Sequence, residues 1–143
     1  MSKSFYDLVA FQRAVDLTAE VYAVTAAFPR AELYGLTSQL RRAAVGVSSQ
    51  IAEGQGRLSF GEWRQFLSQA RGSLFEVEAE ALIANRLGFL DEQQRERIAR
   101  GVQRTGKALV GLIDWVQRRE REARTPRNRG TAQPRNRITE EPQ

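Results

Sequence analysis

The chain has 143 residues, of which 41% are hydrophobic and 27% charged, with a formal net charge of +5; this is the size of one soluble domain with its own core. It contains no histidine and no cysteine, which removes disulfides, thiolate metal sites, the usual general base, and every triad or di-metal centre that needs histidine. Only carboxylate, lysine, tyrosine or serine chemistry is left, so the chain is expected to be non-enzymatic, with no catalytic residue, metal or cofactor.

No run approaches the roughly 18 apolar residues of a membrane span. The N-terminus, MSKSFYDLVAF, lacks the apolar core and small-residue cleavage site of a secretory signal. A cytoplasmic protein of bacterial type, away from membranes, is the expectation. Lys3 and Lys107 are the only lysines among the basic residues. An arginine bias suits bidentate contacts to phosphates and carboxylates, in nucleic acid or at subunit interfaces. It is equally the mark of a GC-rich genome.

In chain order, residues 1–6 form a lead-in whose Phe5 packs down. Asp7 is placed to cap a first helix, Leu8 to Phe28, with Leu8, Phe11, Val15 and Tyr22, and with them Thr18 and Thr25, towards the inside. Phe28-Pro29 ends it, because a residue before proline is pushed out of the α region. The corner PRAELYGL carries Leu33, Tyr34 and Leu36, which read as too apolar for solvent. A second helix, within residues 35–57, repeats apolar residues at Leu36, Leu40, Ala43, Ala44, Val47 and Ile51, with Thr37 or Ser38 as N-cap and Gly54/Gly56 as its stop. Ser59 and Glu62 form a capping box that opens a third helix, which runs from Trp63 to Leu87 before Gly88. Asp91 and Gln94 repeat the pattern for a fourth helix reaching about Arg121, with Ile98, Val102, Thr105, Leu109, Leu112, Ile113 and Val116 inside. No segment alternates with period two. The fold class is therefore all-α, an antiparallel up-down-up-down four-helix bundle over residues 1–121. Residues 122–143 read as a disordered, basic, arginine-rich tail with a repeated Pro-Arg-Asn-Arg.

Three constellations stand out. On a wheel of about 100° per residue, Arg97, Arg100, Arg104, Lys107, Arg118 and Arg121 fall between about 140° and 260° from Ile98, opposite the core. With the tail they form one basic tract, suited to salt-sensitive phosphate contacts or to an ordinary solvated or subunit-contacting face. Arg41 and Arg42 flank the second helix's apolar stripe, with Gln50 and Glu53 further along, and Glu76, Glu78 and Glu80 of the third helix are available to them. A structural ion-pair network, between helices or between subunits, is the expected role of this group. Gly54/Gly56 matches no phosphate loop and reads as a turn. Trp63, Phe66, Phe11, Phe28 and Tyr22 read as core, whereas Trp115 and Phe75 lie off the inner stripes and read as an oligomer interface.

The segments FPRAELYGLTSQLRRAAVGVSSQIAEGQGR and FLSQARGSLFEVE resemble the four-helix-bundle proteins encoded in 23S rRNA intervening sequences. The accessory protein of diversity-generating retroelements is a related member. The likeness rests on Tyr34, Gly35, Arg41, Arg42, Ile51, Ala52, Glu53, Gly54 and Arg57, continued by Phe66, Gly72, Leu74 and Glu76, and covers roughly residues 5–120. It departs at Gly46, where the family usually has serine, and at Gln50, where it has asparagine. Gly46 is expected to mark a close helix contact. The resemblance implies a bundle that self-associates, with a pentamer favoured, no enzymatic activity, and a basic surface for RNA or DNA. A reverse transcriptase or another protein partner is implied for the retroelement relative.

Overall fold

The computed structural model describes residues 4–124; the expected tail beyond Arg124 lies outside them. After a 3₁₀ turn at Phe5–Asp7 come four helices: α1 (Val9–Thr25), α2 (Leu36–Gln55), α3 (Phe60–Arg86) and α4 (Glu92–Arg124). Among the described residues there is no strand. Each helix packs on the next and α4 returns to α1, giving the antiparallel up-down-up-down bundle that the short connections require. α4 continues to Arg124, past the end expected at residue 121.

The connections are built from the signals in the sequence. Ser59 Oγ accepts the Glu62 amide at 3.1 Å, capping α3. Asp91 and Gln94 cap α4 reciprocally, at 2.8 and 2.9 Å, which satisfies two otherwise orphaned donors. Between them Gly88 takes φ +83°. The Phe89 amide reaches Ala84 O at 2.8 Å and the Gly88 amide reaches Asn85 O at 3.0 Å, the pairing of a Schellman turn. Two other caps differ from expectation. α1 starts at Leu8 with no side-chain cap, so Asp7 does not serve. α2 starts at Gly35 rather than at Thr37 or Ser38, and Glu32 Oε1 accepts the Leu36 amide at 3.0 Å from one turn upstream.

The core is made largely of small residues. α1 buries Ala10, Ala14, Leu17, Val21 and Val24; α2 buries Leu40, Ala43, Ala44, Val47 and Ile51. α3 and α4 add Leu67, Ala70, Leu74, Val77, Ile98, Val102, Leu109 and Val116. Two of the buried hydroxyls are satisfied within their own helices: Thr25 donates to Val21 O and Thr105 to Gly101 O, both at 2.8 Å. The inner face expected for α1 is corrected. Val15 and Tyr22 are 44% and 43% exposed, because the alanines turn a neighbouring stripe inward. Leu33 and Tyr34 are also outside, Tyr34 at 93% exposure, since the corner turns outward instead of folding onto the bundle. Phe66 is half-buried and Phe28 is buried.

Gly54 lies inside α2 and is buried; the helix ends one residue later, with Gly56 as its C-cap. A Cβ at Gly54 would stand 2.7 Å from Trp63 Cδ1 and 3.1 Å from Phe66 Cβ. The indole is itself buried, and Phe66 Cβ is tied to the backbone, so neither gives way cheaply. At Gly46 a Cβ would meet only the Ser73 side chain, its Oγ at 3.3 Å and its Cβ at 3.7 Å, so the close contact expected there is milder than the one at Gly54. Gly54→Ala should therefore destabilise by about 1–2 kcal/mol, because overpacking outweighs the gain in helix propensity. Gly46→Ala should not destabilise; urea denaturation of both variants checks the contrast.

Candidate nucleic-acid interface

α4 carries the basic residues picked out by the wheel. Arg97, Arg100, Arg104, Lys107, Arg118 and Arg121 are all exposed, because the apolar stripe from Ile98 to Val116 commits the opposite side of the helix to the core. The stripe is two clusters rather than one tract. Arg97, Arg100, Arg104 and Lys107 occupy three turns of the helix's N-terminal half. Arg118 and Arg121 follow after the exposed Val110, Gly111 and Asp114, a separation between Lys107 and Arg118 of about 16 Å at 1.5 Å per residue.

The two clusters differ in what surrounds them. At the first, Arg97 Nε pairs with Glu20 Oε2 of α1 at 3.1 Å. No ion pair is formed by Arg100, Arg104 or Lys107 among the described residues. At the second, Glu120 Oε1 accepts from Arg64 Nε at 2.8 Å, and this hydrogen bond, with the nearby guanidiniums, holds the Glu120 carboxyl below its ordinary range. Arg119 lies 4.9 Å from the centre of the Trp115 ring. The residues beside the second cluster, Arg64, Arg119 and Glu120, are thus engaged within the fold.

Trp115 corrects the sequence reading. It is partly buried against the core, in edge contact with Trp63 at 5.7 Å and Phe60 at 6.2 Å. Near the end of the bundle the first residues of α3 lean over α4 and cover a position that the wheel places outside. Phe75 is 55% exposed, as expected of a residue off the inner stripe, and Leu82 beside it is 44% exposed.

Within the chain, the α2 signature residues form no inter-helix ion-pair network among the described residues. Among the described residues no ion pair joins Arg41 or Arg42 to Glu76, Glu78 or Glu80. Arg41 turns towards α1 instead, donating to Thr25 Oγ1 at 2.8 Å and lying 4.5 Å over the Tyr22 ring. Arg42 donates to Ser38 Oγ at 3.0 Å. Glu53 is exposed. Arg42, Gly46, Gln50, Ser73, Glu76 and Glu80 line an open polar groove of 510 Å³ between α2 and α3. Gly46 and Gln50 both meet Ser73 there: its hydroxyl donates to Gln50 Oε1 at 3.0 Å and faces the bare Gly46 backbone.

Glu80 Oε1 in this groove is buried with no hydrogen-bond partner. Burial, and then repulsion from Glu76, raises the Glu80 carboxyl above its ordinary range. A carboxyl raised in the folded state favours folding when protonated, and that contribution is lost as pH rises through the folded-state value. Glu80→Gln should therefore raise the melting temperature at pH 7, and the gain should shrink as pH falls through the raised folded-state value towards the ordinary carboxylate range. Melting curves at pH 4 and pH 7 check this; an equal gain at both would contradict it.

Among the described residues no group of acidic, histidine or cysteine side chains is placed to hold a metal, and no helix is long and apolar enough to cross a membrane. Comparison with curated proteins gives no match. A protein of unknown function from the S23 ribosomal protein family of Bacteroides thetaiotaomicron has a similar solved structure. The two share 17% identity and a TM-score of 0.66, over 73% of this chain and 98% of that one, so the likeness is one of fold. The family model described as 23S rRNA-intervening sequence protein matches residues 6–111, which takes in α1, α2, α3 and most of α4. The chain belongs to the 23S rRNA-intervening sequence protein family.

Proposed function

We propose that this protein is a non-enzymatic, self-associating bundle that binds nucleic acid through the phosphate backbone, with the α4 cluster Arg97, Arg100, Arg104 and Lys107 as its principal contact. The observation that carries the reading is the exposure of these residues on one half of α4 with only Arg97 neutralised, by Glu20. Long cations fixed on a rigid helix, with no exposed aromatic among them, suit backbone contacts better than base readout. RNA or DNA is the proposed class of ligand, and structured RNA is the probe used below. Arg118 and Arg121 act as secondary contacts beside the internally paired Arg64 and Glu120.

Self-association is supported by apolar side chains left on opposite sides of the bundle. Phe75 and Leu82 stand out from α3, and Val15 and Tyr22 from α1. Two unlike patches fit head-to-tail contacts, which close into a ring when the rotation between copies allows; a pentamer is the proposed closed form. A second reading uses the Phe75 patch to dock a protein partner, such as a reverse transcriptase, on an oligomeric scaffold.

RNA binding measured between 50 and 200 mM salt should fall steeply, with a log–log slope of about −2 to −4 if three to four phosphates are neutralised. The triple variant Arg100→Glu, Arg104→Glu, Lys107→Glu should bind at least tenfold more weakly while keeping its helical circular dichroism. Salt-independent binding, or an unaffected triple variant, would contradict the reading. Phe75→Ser should move the sedimentation profile towards monomer; a profile unchanged from wild type would remove Phe75 from the interface.

A further inference from the structure

The α1/α4 seam holds a small groove that the α4 wheel does not reveal. Its floor is Leu17 and Gly101, and its walls are Arg13, Asp16 and Glu20 of α1 facing Arg97, Arg100 and Arg104 of α4. The floor is close-packed: a Cβ at Gly101 would come within 2.9 Å of Leu17 Cδ1. Because position 101 has no side chain, Leu17 seats directly on α4 and fixes the two helices in register. The charged residues then stand at matching steps on either side, four before, one before and three after Leu17 on α1, and likewise four before, one before and three after Gly101 on α4.

That register has an electrostatic consequence. The helices run antiparallel, so Glu20 meets Arg97, as observed at 3.1 Å. The same register brings Arg13 to the Arg104 end of the groove, where like charges share a wall. The groove holds four guanidiniums against the two carboxylates of Asp16 and Glu20, a surplus of two positive charges by subtraction. Lys107 stands about one turn beyond Arg104, and no carboxylate pairs with Arg13, Arg100 or Arg104 among the described residues. One end is internally neutralised and the other is left positive.

The size of the groove narrows the ligand. At 190 Å³ it falls below the roughly 300 Å³ at which pockets begin to enclose whole small molecules. No aromatic ring lines it, so no base would stack there. An oxyanion-sized group suits it, and planar guanidiniums grip tetrahedral phosphate by paired hydrogen bonds.

We propose that this groove is a phosphate clamp, in which Arg13 of α1 joins Arg100 and Arg104 of α4 on a single backbone phosphate while Glu20 positions Arg97 beside them. The proposal rests on the nucleic-acid reading above and deepens it by adding a contact from a second helix. A clamp shared by α1 and α4 orients the strand across the seam rather than along α4 alone.

The test uses the full-length protein with a structured RNA and, separately, with inorganic phosphate. Arg13→Ala should weaken RNA binding about tenfold and lower the salt slope by about one. Arg30→Ala, which removes the same charge from the exposed corner between α1 and α2, should change both far less. Equal effects of the two variants, with wild-type RNA binding intact, would overturn the clamp and leave the proposed function standing. Absence of RNA binding by the wild type would overturn the proposed function, and phosphate titration followed by NMR of the arginine Nε–H groups would then decide the clamp. Phosphate-dependent shifts that Arg13→Ala abolishes would show an anion site serving free phosphate. No shift in the wild type would overturn the clamp as well.

Discussion

The bundle depends on how closely its helices approach one another. Alanine and glycine occupy many of the crossing points: Ala10 and Ala14 in α1, Ala43 and Ala44 in α2, Ala70, Ala81 and Ala84 in α3. Gly54 faces Trp63 and Gly101 faces Leu17 without a Cβ to spare. Helices held this near leave no interior space for long polar side chains, so the arginines are driven to the seams and outer faces. The seams therefore carry most of the polar geometry: the α1/α4 groove, the Gln50–Ser73 contact between α2 and α3, and the Arg64–Glu120 pair between α3 and α4. The fold's small-residue interior and its basic surface have one cause.

Much of this was legible in the sequence, because the signals were local. Ser59 with Glu62, Asp91 with Gln94, and Gly88 each encode a boundary through a hydrogen bond or dihedral that spans only a few residues. The inner stripes given for α2 and α4 contain most of the residues that those helices bury. The stripe of α1 was misread, because the large Val15 and Tyr22 stand on the stripe next to the one that Ala10 and Ala14 turn inward. A hydrophobicity pattern favours the bigger side chains, yet close packing selected the smaller ones. The proline and glycine of the corner marked a turn but not its direction, so Leu33 and Tyr34 were misplaced.

The site was half legible for a related reason. A helical wheel places the α4 basic residues on one side but says nothing about neighbours. Arg13 could not be chosen without the register of α1 against α4, which Leu17 and Gly101 set across more than eighty residues of chain. Arg41 was expected to seek a carboxylate and instead took a hydroxyl and an aromatic face on α1. Trp115 looked exposed on an isolated helix and is covered by residues at the start of α3. In each case the missing information was a contact between helices, which no single helix's pattern contains.

The Trp63–Trp115 contact has a spectroscopic consequence. These are the chain's only two tryptophans, and their rings meet at 5.7 Å with planes inclined by 66°. Transition dipoles so near one another and held at a fixed, non-parallel angle couple, giving a paired circular-dichroism band that a lone indole does not show. That band belongs to one end of the bundle, where α3 begins and α4 approaches its last turns. Fraying of α4 there would erase the band while the far-ultraviolet helix signal stayed nearly intact. The molecule thus carries an optical gauge of one seam, separable from the helicity of the whole.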